Sequence, residues 1–143
     1  MKNLECSSKG DKRFSAFYAK VKVNNKISSI EEIYQLSKIQ IVNGVIKCFY
    51  NIKDVKGKKV DGFVVNGKIY EAKYLTQWYN LLWVKYLDNN KDLVKYASEF
   101  DSFSDMFRGK AINCQADVIE KYVKEGREVV IKECKKLLDL MRG

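Results

Sequence analysis

The spacing of hydrophobic positions along this chain changes period several times, and each change marks an element. Phe14, Ala16 and Tyr18, then Val21 and Val23, alternate closely enough to predict a strand from Phe14 to Val23, closed by a turn at Asn24-Asn25. Ile30, Ile33, Tyr34, Ser37 and Ile41 then supply the buried stripe of a helix. Ser28 or Ser29 is placed to cap that helix, with Glu31 and Glu32 near its positive N-terminal end. Val45 to Tyr50 reads as a strand and Lys56 to Lys59 as a loop. Phe63-Val64-Val65 and Lys68-Ile69-Tyr70 flank Asn66-Gly67, a strong hairpin signal, because Asn-Gly accepts the positive φ angles of a tight turn. From about Glu71 the period is helical. Leu75, Trp78, Tyr79, Leu82 and Tyr86 share a face, Asp88-Asn89-Asn90 interrupts it, and Leu93-Val94 and Tyr96-Ala97 begin a shorter helix. Phe103 to Gly109 reads as a loop with buried aromatics; Val118, Tyr122, Val130, Cys134, Leu137 and Met141 resume the helical period with a break near Gly126. The expected fold is α+β: a single helix-rich domain over residues 1–143 with a small β-sheet or hairpins, closed by a C-terminal helix over about 127–141.

Composition narrows the function classes. Hydrophobic residues at 46% and aromatics at 13% exclude an intrinsically disordered chain. No apolar run reaches the roughly 20 residues a membrane span needs, and the first residues lack the apolar segment of a secretory signal, so the expected compartment is the cytoplasm. Cys6, Cys48, Cys114 and Cys134 show no paired spacing and the chain has no histidine, which leaves neither a zinc-finger pattern nor a disulfide framework and reads as reduced, structural thiols. The missing histidine also excludes a serine triad and a His-ligated metal. Gly57-Lys58 lacks the upstream glycine and following Ser/Thr of a phosphate loop, no dinucleotide-binding glycine motif occurs, and neither metal nor cofactor is expected.

The net charge of +9, from 27 basic and 18 acidic residues, favours anionic partners such as phosphates, nucleotides or nucleic acid. Arginine, the usual reader of guanine edges, occurs only at 13, 108, 127 and 142, which disfavours sequence-specific DNA reading. One constellation carries chemistry without imidazole. Glu31, Gln35 and Lys38 fall on one stripe of a helix, since residues three and four apart share a face. A carboxylate beside an ammonium suits the splitting of a glycosidic or aminal bond; a solvated helix face carries the same pattern with no chemistry.

Phe14-Ser15-Ala16-Phe17-Tyr18, followed by Ser29-Ile30-Glu31-Glu32-Ile33-Tyr34-Gln35-Leu36-Ser37-Lys38, resembles the signature of the NADAR family, in which Leu/Phe-Ser-Asn-Phe precedes Thr/Ser-Val-Glu-His-x-Tyr/Phe-Gln-x-x-Lys. Lys56 to Lys59 resembles the family's basic Lys-x-x-Gly-Arg region, and Trp83 to Leu93 its following helix and Lys-Phe-x-x-Asn segment. Asp105 to Gly109 resembles an Asp-x-Phe/Tyr-Trp-Gly loop and Asn113 the closing Gly-x-Asn-x-Leu-Gly stretch, so that the order is kept over residues 13–123. The start also resembles small phage and prophage proteins, which makes a phage-encoded protein acting in the host cytoplasm one expectation. Three positions depart from the pattern: Ala16 replaces an asparagine, Glu32 a histidine and Arg108 a tryptophan.

The resemblance implies an N-glycosidase acting on a phosphorylated ribosyl or ADP-ribosyl base, including reversal of ADP-ribosylation. It implies that Glu31 stabilises the oxocarbenium-like ribose or activates water, and that Lys38 protonates the leaving group or forms a Schiff base with the opened sugar. It further implies Phe17 and Gln35 at the substrate, Asp105 and Asn113 on ribose hydroxyls, and Lys56, Lys58 and Arg108 on phosphates. Trp78 or Trp83 would stack on a base unless helical spacing commits them to the core. Two other classes stay open. One is a non-catalytic nucleotide- or nucleic-acid-binding protein, such as a phage modulator of host defence. The other is an assembly protein of a mobile element, which would have no deep pocket at Glu31.

Overall fold

The computed structural model describes residues 2–105 and 114–143. The chain opens with β1 (Asn3–Glu5), makes a single 3-10 turn at Lys12–Phe14, and forms a hairpin of β2 (Lys20–Val23) and β3 (Lys26–Ser29). Helix α1 (Ile30–Ser37) follows β3 directly and gives way at once to β4 (Lys38–Val42), β5 (Val45–Cys48) and the short α2 (Ile52–Val55). The hairpin β6 (Gly62–Val65) and β7 (Lys68–Glu71) leads into α3 (Leu75–Asp88) and α4 (Lys91–Ala97), and β8 (Ser102–Ser104) precedes the C-terminal helices α5 (Gln115–Glu125), α6 (Arg127–Glu133) and α7 (Lys135–Arg142). The architecture is α+β, with one hydrophobic cluster running from Leu4 to Leu137. No helix among the described residues is long and apolar enough to cross a membrane.

Helix α3 is the axis of the core. It buries Trp78, Tyr79, Leu82, Trp83, Val84, Tyr86 and Leu87, a wider stripe than a one-sided helix needs, because α1, α5 and α6 all pack on it. Both tryptophans are core residues. Trp83 is fully buried, and Trp78 lies parallel to Phe63 with ring centroids 6.2 Å apart, its indole N–H donating to Ser37 Oγ at 3.1 Å. Asp88, at the end of α3, accepts from the Tyr122 hydroxyl at 2.6 Å and from Arg127 Nε at 3.0 Å, which ties α5 and α6 to the same axis. The C-terminal helical period breaks at Gly126, whose φ of +105° favours glycine, and again at Cys134.

The sheet runs β5-β4-β6-β7, all antiparallel. Phe63, Val65 and Tyr70 face the core, whereas Ile41, Ile46 and Ile69, which the strand registers place on the opposite face, are exposed. Strand β5 is an edge strand exposed along its whole length. Asn24-Asn25, Asn43-Gly44 and Asn66-Gly67 all adopt positive φ, as two-residue hairpin turns demand. A separate parallel pair joins β1 to β8.

Lys38, expected on the stripe of α1, instead closes that helix and begins β4, and Phe103, expected in a loop, lies in β8. Two further expectations need correction. The strand expected from Phe14 begins only at Lys20. Before it, Phe14, Ser15 and Ala16 are all buried, which alternation forbids, and the backbone is a pair of tight turns. Asp11 caps the 3-10 turn by accepting from Arg13 N at 3.1 Å, and Ser15 O accepts from Tyr18 N and Ala19 N, so the segment satisfies its amides locally. Ile41 is likewise not part of the α1 stripe. The helix stops at Ser37, and the β-branched run Ile39-Gln40-Ile41-Val42 continues as a strand with Ile41 48% exposed.

Replacing Phe14 by Ala removes a fully buried ring and should cost about 3–5 kcal/mol. Replacing Ser29, whose Oγ accepts from Glu32 N at 3.1 Å, by Ala should cost about 1 kcal/mol. Urea unfolding of the two variants checks the ranking; a Ser29→Ala loss equal to that of Phe14→Ala would mean the cap is not a local feature.

Candidate functional site

Helix α1 is held at both ends by the segments that flank it. At its start, Ile30 N donates to Ala19 O at 2.8 Å and Glu31 N to Ala16 O at 3.0 Å, so the turns at 14–19 accept two amides that a helix N-terminus otherwise leaves unpaired. At its end, the Lys38 backbone N–H bonds Gln35 O, and Lys38 is simultaneously in register with Phe63 across β4 and β6. Glu31, Gln35 and Lys38 are therefore fixed by backbone on every side.

These three residues open on one cleft of about 690 Å³, which is also lined by Phe17, Tyr34, Lys73, Thr76, Tyr79, Asp105 and Gln115. Gln35 Nε2 donates to Glu31 Oε1 at 2.9 Å and orients that carboxylate. The Lys38 ammonium lies 4.6 Å from the centre of the Tyr34 ring, which packs edge-on against Tyr79 at 5.1 Å. Burial pushes the Lys38 pKa below that of an ordinary lysine, with the Glu31 carboxylate opposing the shift. Tyr79 is pushed the other way, its phenol held protonated by burial. Phe17 is 53% exposed at the rim, an aromatic face available to a flat ligand.

Asp105 enters from the end of β8 and is 8% exposed. Its Oδ2 accepts from Gln115 Nε2 at 2.7 Å and lies 3.8 Å from the Cys114 thiol, which burial holds protonated beyond its ordinary range. Lys56 and Lys58 do not line this cleft. They follow α2, which Asn51 caps by accepting from Lys53 N at 2.9 Å, and line an adjoining cleft of about 360 Å³ that shares Glu31, Gln35, Lys38 and Val60 with the first. Arg108 and Asn113 lie outside the described residues.

Of the residues expected at the site, Glu31, Gln35, Lys38, Phe17 and Asp105 thus come together in one cleft, with Lys56 and Lys58 next door. Glu32 does not. It faces a separate depression and pairs with Lys26 at 3.7 Å, so the substitution at this position falls away from the cleft. Sequence reasoning missed Lys73, Thr76 and Gln115, for which periodicity offers no signal. It placed Tyr34 and Tyr79 in the core, where each is indeed buried while still touching the cleft wall.

No curated protein matches the chain. A family model described as DarT1-associated NADAR antitoxin matches residues 1–140, nearly the whole length, and takes in the turns at 14–19, α1 and the strands and helices that enclose the cleft. The chain therefore belongs to the DarT1-associated NADAR antitoxin family.

Proposed function

We propose that this protein is an N-glycosidase that hydrolyses the N-glycosidic bond of a phosphorylated ribosyl or ADP-ribosyl base, and that it thereby reverses ADP-ribosylation. What carries the reading is the pairing, in one cleft, of an oriented carboxylate, Glu31, with a half-buried amine, Lys38, that holds its proton less tightly than usual. The family's description as an antitoxin associated with DarT1 supports the reversal, since an antitoxin that hydrolyses would act by undoing a toxin's product. The cleft at Glu31 also argues against a purely structural assembly protein.

In this mechanism the C1′–N bond breaks with its electron pair going to the base nitrogen, and positive charge develops on the ribose. The Glu31 carboxylate offsets that charge and takes a proton from the water whose oxygen bonds C1′. Lys38 has two available roles. As an ammonium it returns a proton to the departing nitrogen. As a neutral amine it bonds C1′ in place of water, its own proton passing to the departing nitrogen; ring opening of the adduct gives an imine, and hydrolysis of that imine releases the sugar and restores the lysine. The lowered pKa assists both roles, since it makes the ammonium a readier proton donor and the neutral amine easier to reach. Gln35 keeps Glu31 aimed, Asp105 binds ribose hydroxyls, Phe17 stacks on the base, and Lys56 and Lys58 receive phosphates from the adjoining cleft, a partnership the net charge of +9 assists. Arg108 and Asn113 keep their expected roles on phosphate and ribose.

Incubating the protein with ADP-ribosylated guanosine and with ribosylamino-pyrimidine phosphates should release free base, read by mass spectrometry. Glu31→Gln should lower turnover by at least about 10²-fold with cooperative unfolding intact. Full activity in that variant would remove Glu31 from the mechanism. Retention of an intact substrate by the parent would instead favour the non-catalytic binder, which the loss of an amide at Ala16 suits.

Lys38→Met should cost similar activity and little stability. Because the folded-state pKa of Lys38 is depressed, the penalty of burying its charge is present below that pKa and relieved as pH rises toward the unfolded value of about 10.4. The parent should therefore gain stability relative to Lys38→Met across that window, measured by urea unfolding at several pH values. A gap that widens in the opposite sense would mean Lys38 is a stabilised ammonium. Borohydride added during turnover should trap a sugar adduct on Lys38 if the imine forms, and none if Lys38 acts only as an acid.

A further inference from the structure

Gln115 is a deeply buried polar side chain of the cleft wall that the mechanism leaves without a role. It is the first residue of α5 and is 5% exposed. Its Oε1 accepts from the Ala16 backbone N–H at 2.7 Å, ninety-nine residues away, and its Nε2 donates to Asp105 Oδ2 at 2.7 Å. Only this orientation of the amide works. Flipped, it would set its NH2 against an N–H and its carbonyl against a carboxylate.

The bridge reaches further than its two bonds. Ala16 also presents its carbonyl to Glu31 N at 3.0 Å, so one backbone unit receives Gln115 on its amide side and supports the first turn of α1 on its carbonyl side. Asp105, Gln115, Ala16 and Glu31 form a continuous chain of hydrogen bonds beside the cleft. It joins the Asp105 carboxylate to the Glu31 backbone N–H through parts of the sequence that share no secondary-structure element. Ala16 has no side-chain amide of its own, and the Gln115 amide stands against its backbone.

We infer that Gln115 is a positioning residue, which sets the separation and aim of Asp105 and Glu31 without itself reacting. The inference rests on the glycosidase reading for its consequence in turnover, but the hydrogen-bonded chain is testable apart from it. A side chain that merely filled space would be replaceable by an apolar one of similar length. One that positions the site would not, because small displacements of reacting groups are costly in rate.

The test uses the full chain carrying Gln115→Met, which keeps length and volume but neither bond, and Gln115→Glu, which keeps an acceptor for Ala16 N–H and turns a carboxylate toward Asp105. On ADP-ribosylated guanosine both should lose about 10–100-fold in kcat with KM within about three-fold. Amide hydrogen exchange at Ala16 should accelerate at least about ten-fold in Gln115→Met and stay protected in Gln115→Glu. Parent-like kcat in Gln115→Met overturns the inference, as does a kcat loss that disappears when the assay is cooled well below that variant's melting midpoint. Should the parent turn over no substrate, the glycosidase reading fails and the exchange experiment alone decides. Faster exchange at Ala16 and Glu31 with an unchanged rate at Leu82 then sustains the positioning chain, and unchanged exchange at Ala16 overturns it.

Discussion

The capping of α1 by the turns at 14–19 is the interaction on which the rest of the site depends. A helix begins with backbone N–H groups that have no partner inside it, and burying them unpaired is expensive. Here Ala19 O takes Ile30 N, Ala16 O takes Glu31 N, and the Ser29 hydroxyl takes Glu32 N. The hairpin of β2 and β3 supplies the return path that brings Ala19 back beside Ile30. Glu31 is thereby placed in the first turn, where the helix dipole favours a carboxylate, and the buried Ile30 and Tyr34 clamp the helix to the core. The distance between the two sequence motifs in this chain is thus the length of one hairpin.

The same constraint explains why Lys38 joins the site although it is not on the helix. Had α1 continued, Lys38 would have been one more exposed position on a stripe. Instead the chain turns into β4 at that residue, and its amide still closes the helix on Gln35 O while its neighbour Ile39 is buried. Position is set by a helix end and a strand start together, which restricts the side chain more than either would. Half-burial beside Tyr34 then follows, and with it the weakened hold on the proton.

Much of this was legible before any coordinates, and the gaps have physical causes. The cap, the Asn24-Asn25 and Asn66-Gly67 turns, the α3 stripe and the break at Gly126 are local signals, and each appears where local chemistry puts it. Asn43-Gly44 carries the same chemistry as Asn66-Gly67, and read with equal weight it would have revealed β4 pairing with β5. Phe14 to Ala19 misled because alternation of apolar residues does not distinguish a strand from buried turns. The β1–β8 pairing and the Gln115 bridge span nearly the whole chain, and no window of neighbouring residues contains them. For the site, residue identities near α1 were readable from their pattern, whereas Lys73, Thr76 and Gln115 arrive by tertiary packing alone.

The outer face of the sheet has a colloidal consequence. β5 offers the unpaired groups of an edge strand, and Ile41 and Ile46 make the adjacent surface sticky, a combination that invites sheets from different molecules to join. The strand is short, and the molecule carries nine excess positive charges, so at low ionic strength like-charge repulsion keeps copies apart. Salt shortens the range of that repulsion to about 8 Å near physiological strength and leaves the apolar attraction in place. Concentrated salt, or neutralisation of the lysines, therefore weakens the repulsion between copies while the apolar face is unchanged.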